Sequence, residues 1–211
     1  YKLNQHESEL SKYLNMNGFT YDRISRNQLL NSNTKLNRLK VGNGEYKALI
    51  IHNTDHILPD LYKKISDLAK SGVLIIFLGE LPSRASGFKD KEVKDTSILN
   101  LNKSIVGDIE IIDEMSEIKD FLKPLINQKL FTNDDVNLHV RVNKRDCNNE
   151  KILFLFNSSD EQIDYKFDID REYSNVNIFN PYDGSIIGLT TKNGEESLSL
   201  IHISEPTRRL N

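Results

Sequence analysis

The stretch Lys47–Glu80, KALIIHNTDHILPDLYKKISDLAKSGVLIIFLGE, decides the fold. Its two apolar runs, Ala48–Ile51 and Val73–Leu78, flank a segment in which apolar residues recur at helical spacing. Continuous apolar runs are typical of strands that are covered on both faces, as strands of a parallel sheet are. The stretch therefore predicts two parallel strands joined by a helix over Leu58–Lys70, which Pro59 begins and Ser71-Gly72 ends.

The segments around this unit continue the same alternation. Further helices are predicted at Glu7–Met16, Asn27–Leu30, Glu92–Leu99 and Met115–Ile126, and further strands at Phe19–Ile24, Leu36–Val41, Glu45–His52 and Ile109–Ile112. Gly42-Asn43-Gly44 is a hairpin signal between two of these strands. Repeated strand–helix–strand segments predict a parallel sheet with helices on both faces.

The pattern changes beyond a boundary near Thr132–Asp135. Short strands separated by Asn- and Asp-rich turns are predicted at Val136–Val142, Lys151–Asn157, Ile163–Ile169 and Val176–Phe179. This spacing indicates antiparallel β structure. The expected organisation is an α/β domain over residues 1–132 and an antiparallel β portion over residues 133–197.

The two ends of the chain suggest a fragment. Leu198–Arg208, LSLIHISEPTR, resembles a translated sequencing adapter, so residues 198–211 are expected to be a non-native tail. Residue 1 is Tyr and not Met, which favours a chain cut from a longer protein.

Charge and cysteine content narrow the possible classes. A formal net charge of -3 without a basic cluster disfavours a nucleic-acid partner, and no apolar run approaches the ~20 residues that span a bilayer. The single cysteine, Cys147, excludes an internal disulfide. Dinucleotide, phosphate-loop and serine-hydrolase glycine motifs do not occur in the sequence, and no cofactor is expected.

Four segments resemble the region that follows the catalytic barrel in glycoside hydrolase family 106, the α-L-rhamnosidase-like enzymes. They are LNMNGFTYDRISRNQLL (Leu14–Leu30), Val41–Pro82, Asp135–Ile169 and IFNPYDGSI (Ile178–Ile186). The resemblance rests on hydrophobic strands, turn glycines and spacing, and it extends over nearly the whole chain before the tail.

The resemblance implies a flavodoxin-like parallel-sheet domain, whose first strand would precede Tyr1, followed by part of a β-sandwich. It implies that the acid/base carboxylates lie on the barrel, so no catalytic residue is carried over to this chain. The implied function is a non-catalytic accessory region of a bacterial carbohydrate-active enzyme that acts on plant or microbial polysaccharide. The implied partners are the barrel and the downstream β domains of the same chain, and the implied location of the parent enzyme is secreted or periplasmic.

The loop after the first apolar run holds the candidate site residues. His52, Asp55 and His56 lie there, and Glu80 follows the second run, at the strand ends where open parallel sheets bind ligands. These four residues are candidates for a loop or rim role. A zinc site would need a third ligand beside the two histidines, such as Glu80, and an acid–base pair would need Asp55 and Glu80 to face each other.

Other interpretations of the same loop stay open. Thr54 or Asp55 can fix a turn through side-chain-to-backbone hydrogen bonds. The chain can also be a self-contained small-molecule or amidotransferase-like enzyme that uses residues 52–56, or an oligomerisation module. A fragment that lacks its first strand should leave apolar surface uncovered beside Ala48–Ile51.

Overall fold

The computed structural model describes residues 8–125, 140–147, 150–157, 163–168, 175–181, 183–190 and 197–203. The chain divides into two compact units. Asp22–Ile126 forms the first, called here the α/β unit, and Tyr1–Tyr21 with Asn127–Asn211 forms the second, called here the hairpin unit. The predicted boundary at Thr132–Asp135 lies outside the described residues.

The elements are numbered in chain order. The helices are α1 (Glu9–Met16), α2 (Arg26–Leu30), α3 (Pro59–Lys70), α4 (Lys91–Ser104) and α5 (Ile118–Leu122). The strands of the α/β unit are β1 (Asn33–Lys35), β2 (Arg38–Val41), β3 (Gly44–Tyr46), β4 (Ala48–His52), β5 (His56–Ile57), β6 (Leu74–Leu78), β7 (Arg84–Ala85) and β8 (Ile109–Ile112). Those of the hairpin unit are β9 (Val140–Cys147), β10 (Glu150–Asn157), β11 (Ile163–Asp168), β12 (Asn175–Phe179), β13 (Ile186–Thr190) and β14 (Ser197–Ile203).

A three-stranded parallel sheet lies at the centre of the α/β unit. Its order is β4-β6-β8, with Ile50 paired to Ile76 and Ile76 paired to Glu110. Every residue of β6 is buried, because the strand has a neighbour on each side and apolar side chains on both faces. The predicted fold class, a flavodoxin-like parallel sheet joined to antiparallel strands, is confirmed.

Helix α3 supplies much of the core beside β6. It buries Tyr62, Ile65 and Leu68 on one stripe, which follows from their helical spacing. The Tyr62 and Phe77 rings meet edge to face with centroids 6.2 Å apart. The predicted helix at Glu92–Leu99 is longer than expected, and among its residues only Ile98 is buried.

The antiparallel sheet β1-β2-β3 precedes β4 and corrects two strand predictions. The predicted strand Leu36–Val41 begins with a turn, because Leu36 and Asn37 both have positive φ and form a two-residue hairpin loop. The predicted strand Glu45–His52 is divided at Lys47, so that β3 joins the antiparallel sheet and β4 joins the parallel one.

Two further predictions were wrong in detail. Phe19–Ile24 is irregular and not a strand, because Phe19 donates its N–H to the Leu14 carbonyl at the end of α1 and Ser25 already begins the capping box of α2. The helix predicted at Met115–Ile126 has only the short α5 as α-helix, between 3-10 turns. Pro124 lies in the second of these turns, since proline has no N–H for a continuing α-helix.

The described residues of the hairpin unit form helix α1 and three antiparallel pairs: β9 with β10, β11 with β14 and β12 with β13. Strands β10, β11 and β12 match the strands predicted at Lys151–Asn157, Ile163–Ile169 and Val176–Phe179, with Ile169 outside the described residues. The strand predicted at Val136–Val142 is described only from Val140, because residues 136–139 lie outside the described residues, and β9 continues to Cys147, which had been predicted to lie in a turn. Strands β13 and β14 were not predicted. Strand β14 lies mostly within the segment predicted to be a non-native tail, and its partner is β11.

Candidate functional site

The candidate site lies at the carboxyl ends of β4 and β6, where two loops are joined. The short parallel pair β5–β7 joins them, with His56 beside Arg84 and Ile57 beside Ala85. The backbone N–H groups of Ser83 and Arg84 both donate to the Asp55 carbonyl oxygen, with N···O distances of 3.2 Å. These bonds hold the loop after β4 against the loop after β6. The joined segments, His56–Ile57 and Arg84–Ala85, are called the rim below.

Both loops leave their strands through left-handed backbone. Asn53 has φ 47° and Gly79 has φ 96°. A Cβ atom on Gly79 would lie 3.2 Å from Asn53 Oδ1, and the Gly79 N–H donates to the Ile112 carbonyl oxygen. Glycine at position 79 therefore allows both the positive φ and the close approach of the neighbouring loop.

An open groove of about 350 Å³ runs along β4 and ends at this rim. Its walls are mainly apolar, and His52, Thr54, His56 and Ser86 are the polar residues. The apolar lining consists of Ile24, Leu29, Leu49, Ile50, Ile51, Ile57, Leu58, Leu61 and Ile65. Among the described strands, β4 pairs in the parallel sheet with β6 alone. Leu49 is buried and Ala48, Ile50 and Ile51 are partly buried, so the apolar surface predicted beside Ala48–Ile51 is uncovered only in part.

The groove brings together two of the four predicted site residues. His52 is the last residue of β4 and is partly buried, whereas His56 begins β5 and is exposed. Asp55 and Glu80 are both exposed and do not line the groove. The two histidines thus share a surface that their sequence spacing alone did not establish.

The turn interpretation of the loop has direct support at one residue. Thr54 Oγ1 donates to the His52 carbonyl oxygen at 3.2 Å. The first turn of α3 has no side-chain cap, since its N-cap is Leu58 and Pro59 is the first helical residue. Thr54 therefore stabilises the turn itself and does not cap the helix that follows.

Metal ligation was one of the alternatives for this loop. In the part of the chain that the structure describes, no three His, Cys, Asp or Glu side chains come close enough together to hold a metal ion. Within the same residues, no helix is both long enough and apolar enough to cross a membrane.

Arg84 is a site residue that the four sequence candidates did not include. It is exposed, and none of the ion pairs among the described residues involves it. The signal that could have found it is its position in the loop after β6, but its pairing with His56 depends on the register of β5 and β7.

A second groove, of about 410 Å³, lies between α2, α3 and α4. Arg26 and Asp60 form an ion pair at its edge, with an N···O distance of 2.5 Å, and both side chains are about half exposed. Val93, Lys94 and Ser97 line it from α4. No sequence signal pointed to this groove, because its residues come from three separated elements.

Comparison with known proteins shows that part of this chain is similar in sequence to a carbohydrate-active enzyme. The chain is 33% identical over 103 residues to a curated protein of Formosa agariphila that is named "Putative beta-glucuronidase". The match covers 46% of this chain and 9% of that relative, so the chain spans a small part of the relative's length. No family model and no solved structure matches the chain. The similarity supports a relation to glycoside hydrolases in general.

Proposed function

We propose that this chain is a non-catalytic supporting region of a larger carbohydrate-active enzyme, of the α-L-rhamnosidase-like glycoside hydrolase kind. The observation that carries the proposal is the open apolar groove along β4. A strand at the edge of a sheet is normally protected from pairing with other chains by charged side chains, by a bulge or by further polypeptide that covers it. Because β4, with the sequence ALIIH, has no Asp, Glu, Lys or Arg, cover by further polypeptide is the fitting solution.

Its partners are the catalytic barrel and the downstream β domains of the same polypeptide. The similarity to one segment of a much longer protein named as a glycosidase supports this arrangement. The supporting role is to pack apolar surface against those domains and to carry part of the site rim.

The positions of the carboxylates also favour a supporting role. Glycoside hydrolysis generally uses two carboxyl groups that flank the scissile bond, about 5–9.5 Å apart. Asp55 and Glu80 are exposed on different loops, and neither lines either of the two grooves described above. The proposal therefore assigns acid–base catalysis to residues outside this chain.

Hydrolysis assays test this proposal. Purified protein is incubated with 4-nitrophenyl α-L-rhamnoside and 4-nitrophenyl β-D-glucuronide, and nitrophenol release is compared with buffer and with an Asp55→Asn, Glu80→Gln double variant. We expect no release above buffer. Release by the wild-type protein that the double variant loses would show that the proposal is wrong.

A second candidate function is a small-molecule enzyme or binding module that uses residues 52–56. The observation in its favour is that His52 and His56 line a groove of about 350 Å³, within the size range of small-molecule sites. A His52→Ala, His56→Ala variant separates the two functions. Turnover of any glycoside that needs these imidazoles, and not the two carboxylates, would favour the second function.

A further inference from the structure

Arg84 and His56 lie side by side on the rim. They are register partners of the parallel pair β5–β7, and residues paired in this way project from the same side of the sheet. Both are exposed. The next pair, Ile57 and Ala85, is buried and anchors the other side. The rim therefore presents a guanidinium next to an imidazole toward solvent.

The positive charge of Arg84 is not neutralised within the described residues. No ion pair there includes it, although acidic residues lie nearby in the sequence. Asp55 precedes His56 by one residue, lies in a bend before β5 and is exposed, and no ion pair among the described residues joins it to Arg84. Asp95 accepts a hydrogen bond from the Ala85 N–H at 2.6 Å through Oδ1, so this carboxylate is already engaged with the backbone.

The backbone that carries the pair is held in place from both loops. The Arg84 N–H donates to the Asp55 carbonyl oxygen at 3.2 Å, and the Ser86 N–H donates to the Ile57 carbonyl oxygen at 3.1 Å. Two charged or polar donors on a fixed backbone lose less freedom on binding than donors on a mobile loop. The backbone that carries the two side chains is therefore fixed before an anion binds.

Two hydroxyl-bearing residues share the groove along β4 with His56, whereas Arg84 does not line that groove. Thr54 and Ser86 line the polar end of the groove together with His56. An arginine guanidinium matches a carboxylate through two parallel N–H···O bonds, and side-chain hydroxyls can both donate to and accept from sugar hydroxyls. The ligand that fits this combination carries an oxyanion on a sugar ring.

We propose that Arg84 and His56 bind the oxyanion of an acidic sugar, with Thr54 and Ser86 contacting the ring hydroxyls. This inference rests on the proposed function, because it takes the ligand class from a carbohydrate-active enzyme. It adds a subsite for charged sugars at the rim of the supporting region.

Titration followed by backbone amide NMR tests the inference. The probes are sodium D-glucuronate, neutral D-glucose, sodium acetate and sodium sulfate, at constant ionic strength. We expect saturable shifts at His56, Arg84 and Ser86 with glucuronate, and binding that is weaker by about tenfold or more in Arg84→Gln, because a charge-assisted bidentate contact is lost. The control variant Arg38→Gln removes another exposed positive charge, from β2, and should bind as the wild-type protein does.

Four outcomes would overturn the inference: no saturable shifts with glucuronate, equal binding by Arg84→Gln, shifts of the same amides by glucose, or equal affinity for acetate or sulfate. The last would indicate a general anion site. Arg84→Lys keeps the charge and removes the planar fork, so an intermediate affinity supports the bidentate contact. These results are separate from the hydrolysis assays, because glucuronate binding without turnover leaves the proposed function standing, and turnover would remove that function without affecting the binding result.

Discussion

Two apolar runs of similar sequence have opposite surroundings in the two units. VLIIFL at Val73–Leu78 forms β6, where Phe77 is 1% exposed. KILFLF at Lys151–Phe156 forms most of β10, where Phe154 is 57% exposed. Ile152 and Phe156 lie on the same face of β10 as Phe154 and are 52% and 41% exposed. An apolar run thus predicts that a strand forms, but it does not predict how much of the strand is covered.

The connections between strands explain the difference. Parallel strands such as β4 and β6 need a crossover, and here α3 is that crossover and packs its apolar stripe in the core. Strands β9 and β10 form an antiparallel pair in which Cys147 and Glu150 are partners, so a short turn is enough. Among the described residues, the parallel strand β6 is therefore covered by the crossover helix that its topology requires, whereas the antiparallel pair β9–β10 requires no such helix.

The largest expected effect is the contrast between Phe77→Ala and Phe154→Ala. We expect Phe77→Ala to lower the free energy of unfolding of the α/β unit by about 3–5 kcal/mol, because it leaves a cavity beside Tyr62. Phe154→Ala should cost less than about 1 kcal/mol, since its ring is more than half exposed. Urea unfolding followed by circular dichroism measures both. Equal losses would mean that the exposed face of β10 is covered in solution, and the contrast between the units would fail.

The next largest expected effect on stability is the contrast between two glycines with positive φ. Gly107 has φ +124°, and an added Cβ would lie 2.4 Å from backbone atoms of Ala69 at the end of α3. Gly184, in the hairpin unit, has φ +72° and open space around it. We expect Gly107→Ala to cost about 3 kcal/mol through strain and backbone clash, and Gly184→Ala to cost about 1 kcal/mol through φ alone. Thermal unfolding measures the difference, and the prediction is wrong if Gly184→Ala is the more harmful change.

A smaller effect concerns the buried hydroxyl of Tyr62. It donates to Asn102 Oδ1 at 2.6 Å, and burial raises the pKa of Tyr62 to about 12. Tyr62→Phe should cost about 1–2 kcal/mol at neutral pH, because the acceptor loses its donor. The folded protein favours neutral Tyr62, so its contribution to stability is present below pH 10 and is lost as the pH rises from 10 toward 12. Unfolding at pH 7, 10 and 11.5 should show that the difference in free energy of unfolding between the wild-type protein and Tyr62→Phe becomes smaller as the pH rises. A constant difference would contradict burial as the cause of the raised pKa.

The smallest effect concerns the exposed carboxylate of Asp183. Hydrogen bonds from the side chain and backbone of Ser185 lower its pKa below the ordinary 3.8, and Ser185 N to Asp183 Oδ1 is 2.8 Å. A lowered pKa contributes stability above the ordinary value, which is lost as the pH falls through the folded-state value. Asp183→Asn should change the unfolding midpoint at pH 7 by no more than the scatter of replicates. A clear loss in the variant would show that the turn contributes more than its exposure indicates.

The predictable part of the fold is the part with local signals. The runs at Val73–Leu78 and Ile109–Ile112 located β6 and β8 almost to the residue, and the helical stripe and its Pro59 and Gly72 ends located α3. The break at Lys47 was not predictable from the pattern, because β3 and β4 are separated by this one residue and differ in the sheets that they join.

The sequence predicted where the candidate site lies, but it did not predict which residues form it. The rule that ligands bind beyond the carboxyl ends of parallel strands pointed to the loop with His52 and His56. Arg84 follows β6 in the sequence, but its pairing with His56 was not predicted, because that pairing depends on the register of two strands of only two residues each. Asp55 contributes a backbone carbonyl oxygen to the rim, and no side-chain pattern indicates such a role.

The amino-acid sequence by itself determined the α/β class and the elements with strong local signals, such as α3, β6 and β8, because periodicity, caps and turn residues act over a few neighbouring residues. The tertiary structure alone decided that β4, among the described strands, pairs in its sheet with β6 alone and borders an open groove, and that Arg84 is paired with His56. Strand order and register depend on contacts between residues far apart in the chain, and local patterns hold no information about which distant strand, helix or loop will supply them.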